Sequence, residues 1–65
     1  MVTETIAERL RRARGMEPRS SVCKALGISY SALQMWENGK RIPRRATMIK
    51  LAEHYRTTVQ ALFFD

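Results

Sequence analysis

The sequence predicts a small all-α domain, and three observations carry that prediction. The chain has 65 residues, 45% of them hydrophobic, too few for two cores and enough for one. No stretch alternates at period 2 with β-branched residues, as a strand would. Glycines and prolines instead divide the chain into short segments whose apolar residues recur at helical spacing. Ordering so short a chain costs conformational entropy that only shared burial of most apolar residues offsets.

The elements follow in order. Thr5-Ile6-Ala7-Glu8 has the form of a capping box, with Thr3 as a competing cap. Ile6, Leu10 and Ala13 then make one apolar stripe on a helix ending near Gly15, while Arg9, Arg11, Arg12 and Arg14 fill its other faces. Pro18 suits the first turn of a second helix, where its missing N–H does no harm. Val22, Cys23 and Leu26 form that helix's inner face, and Gly27 stops it, giving bounds of about 18–26. Ser29 is a natural N-cap for a third helix, about 30–38, with Leu33 and Trp36 as inner contacts and Gly39 at its end. Lys40-Arg41-Ile42-Pro43 reads as a basic loop. A fourth helix starts near Arg44 or Arg45, with Met48, Leu51, Ala52 and Tyr55 inside, and Thr58 caps a last short helix carrying Val59, Leu62 and Phe63. Five helices in a single domain, 1–65, is the resulting expectation.

Composition narrows the function. Cys23 is the only cysteine and His54 the only histidine, so neither a disulfide framework nor a cysteine-rich zinc site is expected. Cys23 reads as a small buried residue and His54 as a surface or boundary residue without a ligand-type partner. No metal, cofactor or small-molecule ligand is expected. No apolar run approaches a membrane span, and the N-terminal residues carry Glu4 and Glu8 rather than the pattern of a signal peptide. The expected setting is the bacterial cytoplasm or nucleoid. The acids, Glu4, Glu8, Glu17, Glu37, Glu53 and Asp65, show no catalytic pairing, and no nucleophile–base arrangement or phosphate-cradling glycine loop is readable, so the chain does not read as an enzyme. Twelve Lys and Arg against six Asp and Glu give a net charge of +6, which favours an anionic partner.

The second helix, Gly27 and the third helix form a helix–tight turn–helix unit. In such a unit the first residues of the second helix can meet base edges in the major groove. The third helix exposes Tyr30, Ser31, Gln34 and Met35 away from Leu33 and Trp36. Gln can pair bidentately with adenine, Ser can bond several bases, and an apolar side chain can contact the thymine methyl. Arg19 precedes this face, and Lys40, Arg41, Arg44 and Arg45 follow it. Flanking charge of that kind positions a helix on phosphates without carrying sequence information.

Lys24-Ala25-Leu26-Gly27-Ile28-Ser29, then Leu33, Trp36-Glu37-Asn38-Gly39-Lys40 and Leu51-Ala52-Glu53 resemble the Cro and lambda-type repressor helix-turn-helix family, the XRE type. The resemblance runs from Ile6 to Phe63. It implies a five-helix domain that reads double-stranded DNA, often as a homodimer on a palindrome. By position, Ser29, Tyr30, Ser31, Gln34 and Met35 fall where the family's base-proximal residues lie. Asn38, Lys40, Arg41 and Arg44 fall on the loop that holds phosphate, and Arg19 falls at the start of the second helix, where relatives often present Gln to the backbone. Arg14 and Glu37 fall on positions that form a partly buried ion pair in some members. The sequence departs from the pattern in a shortened connection between the first two helices, in Arg56 where many members end the fourth helix with Gly, and in stopping soon after the fifth helix.

The resemblance implies a Cro-like repressor of phage or mobile-element type, acting by occupancy of an operator. Two other readings stand beside it. One is a protein-interaction module of the same fold, as in antitoxins and adaptors; the other is a binder driven by charge alone. Phe63 reads as core and Phe64 as a candidate dimer contact. Arg11 and Arg12 read as a solvated helix face, and Trp36 as a partly exposed core residue.

Overall fold

A computed structural model describes residues 5–64; Thr3, Glu4 and Asp65, which entered the sequence reading, lie outside them. The described chain is all-helical and without strands. Four α-helices, α1 (Ile6–Arg14), α2 (Arg19–Leu26), α3 (Tyr30–Glu37) and α4 (Arg45–His54), precede a π-helical turn, α5 (Gln60–Phe64).

The helices start in two different ways. Thr5 closes α1 with a full capping box: its hydroxyl accepts from the Glu8 N–H at 3.2 Å, and the Glu8 carboxylate accepts from the Thr5 N–H at 2.9 Å. These bonds hold the Glu8 carboxyl below the usual carboxylate range. Ser29 closes α3 by accepting from the Ala32 N–H at 3.1 Å. Pro18 and Arg44 stand at the N-caps of α2 and α4 and supply no side-chain bond. Pro18 therefore precedes α2 rather than opening its first turn, and Asn38 follows α3 as its C-cap.

The ends of α3 and α4 share one geometry. At α3, the Lys40 N–H donates to the Met35 carbonyl at 2.9 Å and the Gly39 N–H to the Trp36 carbonyl at 3.3 Å. At α4, Thr57 donates to Ala52 at 2.9 Å and Arg56 to Glu53 at 3.1 Å. Both are Schellman motifs, which need a left-handed residue. Gly39 supplies it at φ +77 and Arg56 at φ +57. The missing glycine noted in the sequence is thus met by an arginine forced into the conformation glycine prefers.

The core joins α1 through Leu10, α2 through Val22 and Cys23, α3 through Leu33, α4 through Met48, Leu51 and Ala52, and α5 through Leu62 and Phe63. Trp36, Leu26, Ile28 and Tyr55 pack against it half-buried. Burial pushes the Cys23 thiol pKa up, with a smaller contribution from Glu37, so this cysteine is held as a neutral packing group. The last helix differs from the α-helix expected: Thr58 caps it by accepting from the Ala61 N–H at 3.0 Å, but its turn is π-type and starts at Gln60. Phe63 is buried, while Phe64 is 60% exposed.

Candidate nucleic-acid interface

Ser29 bonds the start of α3 and so fixes the pitch of the helix beyond it. Tyr30, Ser31, Gln34 and Met35 lie exposed along one side of that helix, opposite buried Leu33. A groove of about 610 Å³ runs beside Ser31 and Met35, lined also by Ser29, Ile42, Arg44 and Thr47 among others. The start of α4 and the α3–α4 loop therefore share one surface with the exposed side of α3. Asn38, Lys40, Arg41 and Arg44 are all exposed on that loop and its flanks.

The open start of α4 lines the groove beside this face, and Arg19 at the open start of α2 interacts with Tyr30 at its beginning. A helix N-terminus carries partial positive charge and unfilled N–H groups, and a side-chain cap normally satisfies some of them. At α2 and α4 no side chain does so, and the first turn holds no acid. Arginines stand there instead: Arg19 opens α2, and Arg44 and Arg45 straddle the start of α4. Cations at that end are electrostatically unfavourable in isolation. The arrangement becomes favourable when an anion such as a phosphate group sits at the helix end.

Behind the face lies Glu37, fully buried. Arg14 forks onto it, Nε to Oε2 at 2.7 Å and Nη2 to Oε1 at 3.0 Å. Arg19 donates its Nε to Oε1 at 2.9 Å, and Arg11 donates Nη1 to the Glu37 main-chain carbonyl. The hydrogen bond to Glu37 pushes the Arg14 pKa up against its partial burial. For Arg19 the bond to Glu37 raises the pKa first, and one to Tyr30 raises it further. Arg11 is exposed, as a solvated helix face requires, and its tip in addition serves the end of α3. Arg19 too has a partner that the sequence reading did not assign. One signal pointed to it: Glu37 lies four residues after Leu33, on the inner side of α3.

A second polar tie holds the α1–α2 connection. His54 Nε2 approaches both carboxylate oxygens of Glu17, at 2.9 and 3.1 Å, and Arg14 Nη1 donates to the Glu17 carbonyl at 2.9 Å. His54, read from the sequence only as a surface or boundary residue, thus pins the end of α4 to the residue before Pro18. Tyr55, next in sequence, buries its hydroxyl with no hydrogen-bond partner among the described residues. Burial first, then the Glu37 and Glu17 carboxylates, push its pKa up to about 12.

The model of the helix-turn-helix family matches residues 8–62. The chain belongs to the XRE-type helix-turn-helix family. It is accordingly a DNA-binding transcriptional regulator with double-stranded DNA as its partner, in a family that is typically non-enzymatic. Neither curated proteins nor solved structures yield a match. Among the described residues no helix is long and apolar enough to cross a membrane, and no group of His, Cys, Asp and Glu could hold a metal ion.

Proposed function

We propose that this helix-turn-helix protein is a Cro-like repressor that binds a palindromic operator as a homodimer. The observation carrying the proposal is the pair of uncapped, arginine-bearing helix starts, one lining the groove beside the exposed side of α3 and the other reaching Tyr30 through Arg19. Phosphates of one strand segment would accept from the α2 start and Arg19, and others from Asn38, Lys40, Arg41, Arg44 and the α4 start. With the backbone so held, Ser29, Tyr30, Ser31, Gln34 and Met35 face base edges in the major groove. Gln34 is the bidentate reader of adenine, and Met35 supplies an apolar contact. Exposed Phe64 packs across the two-fold axis. Repression follows from occupancy in the bacterial cytoplasm or nucleoid: a dimer on an operator overlapping a promoter excludes the polymerase.

The test is selection from a random duplex library at near-physiological salt. The expected result is a palindrome whose half-sites lie about one helical turn, roughly 34–36 Å, apart. Enrichment of no sequence, with all retention lost as salt rises, would mean binding by charge alone and overturn the proposal. Enrichment of single half-sites would remove the dimer and leave the reader.

A further inference from the structure

A structural ion pair would need only one arginine on Glu37. The fork of Arg14 already reaches both carboxylate oxygens. Arg19 adds a second guanidinium to that carboxylate, from the first residue of α2, where the helix dipole disfavours a cation. Its bond to Glu37 is made through Nε. An arginine held by Nε still carries the N–H groups of both terminal nitrogens in one rigid plane. Tyr30, at the start of α3, interacts with the same guanidinium. The Arg19 side chain is 23% exposed and the Glu37 side chain fully buried, so the carboxylate is the fixed member of the pair and the arginine its solvent-side extension.

We propose that Glu37 is a positioning residue for phosphate binding: from the buried end of α3 it holds Arg19 by Nε so that the arginine's terminal fork, beside the uncapped N-terminus of α2, meets a DNA backbone phosphate. The inference rests on the DNA reading of this face and goes beyond it by assigning a buried residue, outside any DNA contact, a part in phosphate recognition. It also links the phosphate contact to the angle between α2 and α3, because one carboxylate ties both helices.

The test measures binding of a fluorescent mixed-sequence DNA duplex across a salt series, with thermal melting to establish folding. The variants are Arg19→Gln, Arg19→Lys, Glu37→Gln, the Arg19→Gln/Glu37→Gln double and, as a reference on the other flank, Arg44→Gln. Arg19→Gln is expected to weaken binding several-fold and lower the salt slope by about one unit. Arg19→Lys should lose as much, because an ammonium cannot bond the carboxylate sideways and still present a fork. Glu37→Gln should weaken binding several-fold when Arg19 is present and change nothing further in the Arg19→Gln background. Full rescue by lysine, or an equal effect of Glu37→Gln in both backgrounds, overturns the proposal. Should Glu37→Gln fail to fold, the lysine comparison decides alone, since it leaves the Arg14–Glu37 fork in place. If Arg19→Gln binds normally while Arg44→Gln loses slope, the positioning role falls and the DNA reading stands. If the unchanged protein does not bind the duplex, both fall.

Discussion

The starts of α1 and α3 and the starts of α2 and α4 are built to opposite rules. Thr5 and Ser29 satisfy their helices from within, each with a side-chain oxygen on a first-turn N–H. Pro18 and Arg44 leave theirs without a cap, and arginines crowd the positive end of the dipole. Both starts of the first pair are satisfied within the fold, and Ser29 in addition lines the groove beside α3. On the proposed reading the second pair trades local stability for affinity to an anion, which is where local sequence preference and local structure are expected to disagree in a functional surface.

The contrast can be broken or sharpened by substitution. The largest effect is expected behind the open α2 start: Glu37→Ala strips a buried carboxylate from Arg14 and Arg19 and should destabilise the fold by about 3–5 kcal/mol, read by urea denaturation. A loss under about 1 kcal/mol would mean the arginines re-solvate freely. On the surface between the open ends, Gln34→Ala should leave stability intact but relax preference at one base pair by about 1–3 kcal/mol. A selected operator bound with undiminished preference would remove Gln34 from the reading residues.

The sharpest comparison sets a closed start against an open one. Thr5→Ala should cost about 1 kcal/mol of stability and leave the salt slope of DNA binding unchanged. Arg44→Ala should do the reverse, lowering the slope by about one unit while stability holds or rises slightly. If both variants shift the same quantity, the division between the two kinds of helix start is not functional.

Tyr55 extends the contrast to pH. Its folded-state pKa of about 12 lies above the ordinary tyrosine value of 10, so the folded state favours the neutral phenol. That contribution is fully present below about pH 10 and is lost as pH rises toward about 12. Discounted for solvent screening at its partly exposed ring, it amounts to about 1 kcal/mol. The melting temperature should therefore fall over that window by more in the unchanged protein than in Tyr55→Phe; parallel curves would locate the alkaline loss elsewhere. The smallest effect concerns helix ends. Arg56→Gly places glycine where Gly39 already closes α3 and should stabilise by about 0.5–1 kcal/mol, the relief of a left-handed side chain less the entropy of glycine. Destabilisation on thermal melting would show that the Arg56 side chain contributes more than its backbone costs.

Much of this molecule was legible in its residues. The capping box at Thr5, the stop at Gly27, Ser29 before α3 and the basic loop before α4 are local features, set by hydrogen bonds and dihedral preferences within a few residues. They place the exposed side of α3 and its flanking arginines without reference to distant parts of the chain. The π-type turn of α5 was not legible, and Arg56 stood out only as a missing glycine, because periodicity does not show that the Schellman bonds of Thr57 and Arg56 hold an arginine left-handed. Of the partners of Glu37, Arg14 was implied by the family resemblance, whereas Arg11 and Arg19 were hidden for a different reason. A carboxylate and several arginines far apart in sequence could pair in many ways, and only the crossing of α1 and α2 over the end of α3 brings Arg11, Arg14 and Arg19 to one residue. By itself, then, the sequence determined the helices, their ends and the family they compose, since these depend on short-range bonding and periodicity. The tertiary structure alone decided that Arg11 and Arg19 join Arg14 on buried Glu37, since that depends on how whole helices cross.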